Sequence, residues 1–510
     1  AVAQGALASS AGALSVRVAL RRVADPCGAR AVMALGRRVL KRPVTKTKKV
    51  AASGRKRALG APRAPSLAQR DVERLRRQLR VPVERGRWPG VAAAVYVGGR
   101  LELLEEAGYA DVEAGTPMTK DSLVRVYSMT KCVIAAAVMQ LVEARLLGLD
   151  DELGKHLPAF SHMRVVLEGA DGKPDWDRVV PASRPIRIRH LLTHTSGISS
   201  GLAPGIDGPK VRSARERAWC EIYGPLVRAV DSGSIRDLGQ WVGELAKLPL
   251  FSHPGQLYGY GYSYDILGHL VEVKTGRKLV DYLAERVFRP LGMRDTRFDA
   301  TSAGHARRLS ALYRCTRSPR FGGNGRSLRL ARVDPPRRGA PSRWQARCRV
   351  PSGGGALTSL EGGLLSTLSD YSKFLLAVVS GGKHPESGAR ILTPSSAEQM
   401  LTDQTALLAE GGKLPPRNAN PYNDRGLGLS CLGELQRRGA PAWGRWFDGV
   451  PGVRLWGGAA SSAFKYDPNG GRPILAVVMT QVFPQEDGTV ISTLLKGVRE
   501  GLRGGAAGEA

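Results

Sequence analysis

Ser128-Met129-Thr130-Lys131 opens an apolar run, Cys132-Val133-Ile134-Ala135-Ala136-Ala137-Val138-Met139, which continues through Leu141, Val142, Leu146 and Leu147. A proline-free run of this kind predicts a buried helix, so the fold has to be built around it. Residues three apart share a helix face, and the Ser128 hydroxyl and the Lys131 amine can meet within one turn. A serine hydroxyl is a weak nucleophile until a neighbour takes its proton. An amine can do so only where burial or nearby charge holds its pKa below the free lysine value. The helix start adds backbone N–H groups and the positive end of the macrodipole, both of which favour an oxyanion. Serine at such a position also serves as an N-cap, and the motif alone leaves that reading open. The same spacing recurs at Ser53–Lys56, in a basic tail, and at Ser380–Lys383, in a glycine loop; neither opens a buried helix.

Further landmarks follow in order: Pro89-Gly90-Val91, Gly108-Tyr109-Ala110-Asp111, Leu149-Asp150-Asp151, Leu191-Leu192-Thr193-His194-Thr195-Ser196-Gly197, Pro254-Gly255, Pro290-Leu291-Gly292-Met293 and Trp456-Gly457-Gly458. Together with the Ser128 motif, and spread over roughly residues 85 to 500, they resemble the serine β-lactamase and penicillin-binding-protein superfamily, whose S-x-x-K signature has Ser as nucleophile. The similarity is closest to the class C β-lactamase-related esterases called family VIII carboxylesterases.

The resemblance implies a tyrosine that assists proton transfer a few residues after a Pro-Gly turn. Counting from Pro254-Gly255, the matching position is Tyr260, with Tyr258 and Tyr262 still open as alternatives and Tyr264 close by. A phenol whose pKa is lowered by an ammonium such as Lys131 could take the Ser128 proton and return it to the leaving alcohol. Two departures from the β-lactamase pattern stand out. Tyr260-Gly261-Tyr262 replaces Tyr-x-Asn, and Trp456-Gly457-Gly458 replaces Lys-Thr-Gly. Without that lysine a carboxylate-binding cation is lost, and Trp456 offers an apolar wall with one N–H donor. The family pattern implies oxyanion donation from the backbone N–H groups of Ser128 and Ala459, with Trp456, Gly457, Gly458 and Tyr262 on the substrate side. The expected substrate is a small ester or acyl compound, hydrolysed through a Ser128 acyl-enzyme. A β-lactamase or D-amino-acid peptidase, and a non-catalytic self-assembling scaffold of the same fold, are the alternatives.

Gly197-Ile198-Ser199-Ser200-Gly201 spells a rival G-x-S-x-G motif, which needs a strand before it and a helix after it. The sequence continues instead into a loop rich in Gly and Pro, which argues against Ser199.

A net charge of +31 invites a nucleic-acid reading, but its distribution removes it. Residues 1–70 hold 16 Lys and Arg against Asp25 alone, residues 303–350 hold 13 Arg against Asp334 alone, and the remainder carries only +4. Neither basic segment interleaves aromatics as base stacking requires, so no dedicated nucleic-acid partner is expected. Residues 1–70 read as a basic tail, disordered or like an organellar transit peptide, which would direct the chain to a mitochondrion or plastid; otherwise it is cytoplasmic. Residues 71–505 read as the catalytic domain, with 303–350 as an Arg-rich surface insertion. No stretch has the length of a membrane span. The six cysteines are scattered without a C-x-x-C pair, and His190 and His194 lack the Glu of H-E-x-x-H, so neither metal nor other cofactor is expected. Oligomeric state is not legible.

Val91–Val97 and Arg100–Leu104, joined by Gly98-Gly99, predict a hairpin, and Ser462–Tyr466 with Ile474–Thr480 predict another around Asn469-Gly470-Gly471. Val490, Ile491, Leu494, Leu495, Val498 and Leu502 recur at helical spacing near the end. Strands at both ends and helices between, together with the resemblance, imply an α+β fold: one antiparallel sheet flanked by helices, beside a mainly helical subdomain, with the site between them.

Overall fold

The apolar run behind Ser128 folds as a helix whose residues Thr130 to Leu141 are all buried. Such a helix, apolar on every side, belongs inside the molecule and not on its surface. The computed structural model describes residues 67–171, 173–198, 214–300, 302–319, 326–334, 363–404, 430–431, 450, 452–483 and 488–507. Residues 1–66 of the basic tail and Ser199 lie outside the described residues.

Seven strands form the main sheet: β1 (Gly90–Val97), β2 (Arg100–Asp111), β3 (Thr116–Pro117), β4 (Ser430–Cys431), β5 (Arg454–Gly457), β6 (Ala463–Asp467) and β7 (Ile474–Met479). Their spatial order is β4-β5-β6-β7-β1-β2-β3, antiparallel throughout. Both predicted hairpins are present, and they meet edge to edge, with Ala92 opposite Met479. The two ends of the chain thus close one sheet.

Five helices frame it: α1 (Gln69–Glu84), α2 (Thr130–Glu143), α3 (Ser263–Thr275), α4 (Leu368–Val379) and α5 (Thr489–Ala507). In β1, Val91, Ala93, Val95 and Val97 pack with Leu75 and Leu79 of α1 and Leu494, Leu495 and Val498 of α5. The alternate residues Ala92 and Ala94 belong to the larger core that contains α2, α3 and α4. Burial on both faces explains why β1 reads as a near-continuous apolar run rather than as an alternating one. The helix α3 lies against α2, and α4 packs on β1 and β7 of the sheet.

Two findings differ from expectation. The middle of the chain is not all helix: Arg164–Glu168 pairs with Pro174–Pro181, where Val165, Val166, Val179 and Val180 supply the β-branched residues that favour a ladder. The Arg-rich segment is also more than a surface insertion. Its described part forms a hairpin, Tyr313–Pro319 with Arg326–Arg332, whose base is buried at Leu312 and Tyr313. There Asp334 accepts from the Leu312 N–H at 2.9 Å and pairs with buried Arg125 at 3.3 Å. Arg332 pairs with Asp111 of β2 at 3.0 Å. The single acid of the segment is one of the residues that tie it to the body. Residues 320–325 and 335–350 lie outside the described set.

Candidate active site

A short pairing of Val124–Arg125 with Leu365–Ser366 delivers the chain to a single 3-10 turn, Tyr127–Met129, which runs straight into α2. Tyr127, directly before Ser128, has φ +44°, a left-handed conformation costly for a bulky residue. It is retained because the surroundings hold the turn from three sides. The Trp456 indole N–H donates to the Ser128 carbonyl at 2.8 Å, the Tyr371 hydroxyl donates to the Met129 carbonyl at 2.8 Å, and the Leu364 N–H donates to Thr130 Oγ1 at 2.8 Å.

Ser128 is half-buried, and its Oγ lies 2.7 Å from the Tyr260 hydroxyl. The Lys131 ammonium sits over the Tyr260 ring, 4.8 Å from its centroid. Lys131 is fully buried, and that burial lowers its pKa from the ordinary lysine value to about 7, against the opposing pull of the Asp265 carboxylate in α3. The neighbouring Cys132 thiol is pushed up to about 12 by its burial, so it is a packed thiol and not a second nucleophile. Serine, amine and phenol are therefore brought together. The Ser128 hydroxyl lies within hydrogen-bond reach of the phenol, and the Lys131 amine packs on the face of that phenol's ring.

Trp456, the last residue but one of β5, is buried, with its ring centroid 6.3 Å from that of Tyr260. Its N–H is directed to the backbone of Ser128, so it supports the turn that carries Ser128. After it the chain turns tightly, with the Gly458 N–H donating to the Ser462 carbonyl at 2.8 Å. A Cβ on Gly458 would stand 2.5 Å from the Val126 carbonyl oxygen, which shows how closely this turn approaches the nucleophile segment. Gly457 is half-buried, and Ala459 packs against Tyr127 in a small cluster with Leu312, Ala460 and Phe483. The two segments expected to supply oxyanion N–H groups are thus in contact.

Tyr262 is not brought to this group. It is fully buried between Trp241 and Tyr223, with ring centroids 5.0 and 5.4 Å away, and lies in the core behind the loop that carries Tyr260. The Tyr-Gly-Tyr alternation put it beside Tyr260 in sequence, but α3 begins at Ser263 and turns its side chain inward. Tyr258 faces His194, with centroids 6.0 Å apart. Three site residues were not singled out by sequence reasoning: Asp265, Tyr371 and His194 as a ring partner of Tyr260. Asp265 had a signal, a single acid at the head of the otherwise apolar Ile266-Leu267-Gly268 stretch; Tyr371 had none.

The fold is that of the β-lactamase/transpeptidase class, and the chain is a serine hydrolase within it. A family model described as Beta-lactamase matches residues 75–497, and the chain belongs to that family. It is 32% identical over 392 residues to Protein Rv1367c of Mycobacterium tuberculosis, covering 77% of this chain and 86% of that protein. Over 212 residues it is 34% identical to Esterase EstB of Burkholderia gladioli, covering 41% of this chain and 47% of EstB, in line with the resemblance to family VIII carboxylesterases. Among solved structures it is similar to EstCE1, described as a hydrolase with promiscuous acyltransferase activity, with a TM-score of 0.60, 25% identity, and coverage of 85% of this chain and 98% of that one. Among the described residues no helix is long and apolar enough to cross a membrane, and no cluster of His, Cys, Asp and Glu could hold a metal ion.

Proposed function

We propose that this protein cleaves carboxylic esters through an acyl-enzyme on Ser128. The observation that carries the reading is the 2.7 Å contact between Ser128 Oγ and the Tyr260 hydroxyl, with buried Lys131 against the same ring. Ser128 Oγ attacks the ester carbonyl while its proton passes to Tyr260, and the phenol's own proton passes to Lys131 in its neutral form. The N–H groups of Ser128 and Ala459 receive the oxyanion. The relay then runs in reverse to protonate the leaving alcohol, and water repeats the cycle on the acyl-enzyme. Trp456-Gly457-Gly458 supports a neutral ester over a β-lactam or peptide carboxylate, because an indole stands where the β-lactamase pattern has the lysine of Lys-Thr-Gly. Similarity to EstB points the same way. Similarity to EstCE1 adds that an alcohol could replace water as acceptor of the same acyl group.

The test uses a short-chain 4-nitrophenyl ester under stopped flow, followed by a fluorophosphonate label and peptide mapping. A burst of one nitrophenol per chain and a label on Ser128 are expected. Label on another serine, or turnover retained in Ser128→Ala, would overturn the assignment. Faster turnover of a chromogenic cephalosporin than of the ester would assign the site to β-lactams instead.

A further inference from the structure

The Tyr260 hydroxyl can accept a proton from Ser128 only if its loop is held, and the loop, Phe251 to Tyr262, has no regular secondary structure of its own. The segment Leu192–Gly197 holds it along its whole length. Phe251 N–H donates to the Gly197 carbonyl at 2.8 Å, Gly255 N–H to the Thr195 carbonyl at 2.7 Å, and Gly259 N–H to the His194 carbonyl at 2.8 Å. Beyond the loop, the Tyr264 hydroxyl donates to the Leu192 carbonyl at 2.7 Å, and the Ser196 and Ser263 hydroxyls share a hydrogen bond of 2.9 Å. Within this segment His194 takes φ +57°, outside the range usual for a residue with a side chain. The consequence is visible in its ring. It lies buried against Tyr260, centroids 4.7 Å apart, with Tyr264 at 5.1 Å on another side and Tyr258 at 6.0 Å.

We infer that His194 is a positioning residue of the reaction: its ring fixes the plane of the Tyr260 ring, and with it the placement of the phenol oxygen on Ser128 Oγ. This rests on the reading of Tyr260 as the proton acceptor. A left-handed residue at this point turns its carbonyl to Gly259 and its side chain to Tyr260 together, so backbone clasp and ring stack are set by one conformation. Packing of ring on ring restrains tilt without competing for the phenol's hydrogen bond to Ser128. The Tyr260 ring then has Lys131 and His194 as neighbours that leave its oxygen directed at the serine.

Two variants separate ring from backbone. Asn tolerates positive φ as well as His does, so His194→Asn deletes the ring without adding backbone strain. His194→Phe keeps a ring. On a short-chain 4-nitrophenyl ester, His194→Asn is expected to lower kcat about tenfold to a hundredfold at nearly constant KM, the loss that misplacement by a fraction of an ångström produces. His194→Phe is expected to stay within about threefold of the parent kcat, since the ring's shape does the positioning. Equal kcat losses in the two variants would overturn the inference, as would a His194→Asn protein of lowered thermal midpoint but unchanged kcat. Should His194→Asn fail to fold, His194→Phe still decides: a folded His194→Phe protein that has lost most of its kcat overturns the inference. Tyr260→Phe runs alongside. If it keeps its activity, the proton-acceptor reading fails by itself, whatever the His194 variants show.

Discussion

Among the described residues two buried lysines stand near serines, on opposite sides of one sheet, and they behave differently. Lys131 and Lys465 are both fully buried. Lys465, in β6, donates to Ser492 Oγ of α5 at 2.8 Å, and that hydroxyl in turn donates to the Gly488 carbonyl at 3.0 Å. Asp467 and Arg499 form an ion pair at 2.5 Å between the same strand and helix. The Ser492 hydroxyl therefore spends its proton on a carbonyl and its lone pair on the ammonium, which is how a buried polar pair is satisfied within a core. Ser128 faces a phenol. It also stands at a strained turn, beside the segment expected to complete an oxyanion site, at the head of a buried helix. What distinguishes the two is not the amine and the alcohol but the phenol at the Ser128 hydroxyl, which in the proposed relay takes up the proton.

The largest effect that would break this comparison is a swap of serines. Ser128→Ala is expected to lower kcat on a 4-nitrophenyl ester by at least about a thousandfold, the loss typical of a removed nucleophile. Ser492→Ala is expected to leave kcat within about twofold while lowering stability by roughly 1 kcal/mol, the worth of a lost buried hydrogen bond. Steady-state rates and thermal midpoints of the two proteins check both halves.

Next come the lysines, where pH sharpens the contrast. Burial holds Lys131 at about 7, and the proposed relay needs its neutral form, so kcat/KM is expected to climb with pH to about 7 and level off above it. Lys131→Met is expected to flatten that climb and to cost about a hundredfold in kcat. The linkage has a definite sign. Between about 7 and the unfolded lysine value the unfolded chain binds the extra proton, so Lys131 adds stability as pH rises through that window and contributes least below it. Lys465→Met is expected to leave both the profile and kcat alone. A rate that falls as pH rises through 7 would instead make the ammonium the working form.

Much of this contrast was legible before any coordinates. Periodicity and the two glycine turns located both hairpins and the terminal helix, because each is a local pattern. Tyr260 came from the family resemblance, counted from Pro254-Gly255 with Tyr258 and Tyr262 open beside it, and its hydroxyl lies 2.7 Å from Ser128 Oγ. Long-range pairings were not legible. Nothing in Trp456 says that its N–H is directed to the carbonyl of Ser128, and nothing in Tyr371 says that it secures Met129. Tyr262 was placed on the substrate side by its neighbour, and the start of α3 turned it into the core. The Arg-rich segment misled for a compositional reason. Thirteen arginines describe an exposed strip, while the residues that anchor it, Leu312, Tyr313 and Asp334, are too few to change its average.

The smallest expected effects come from two glycines, one against the Ser128 segment and one in the turn between β6 and β7, which are glycine for different reasons. Gly458 has no room: a Cβ would lie 2.5 Å from the Val126 carbonyl oxygen, at the back of the nucleophile's turn. Gly471, in the turn after β6, has open space around it but holds φ +73°. Gly458→Ala must push the turn after Trp456 away from Val126 and, if that turn supplies the proposed oxyanion donor, is expected to lower kcat about tenfold, because donors aimed at a developing charge lose effect when displaced. Gly471→Ala meets only the backbone cost of a left-handed alanine, about 1 kcal/mol, and should appear as a lower thermal midpoint with unchanged kcat. Measured together, the pair separates a glycine that makes room for chemistry from one that turns a corner. If Gly458→Ala loses stability while keeping its kcat, the turn after Trp456 is packing, and the oxyanion donors have to be sought elsewhere.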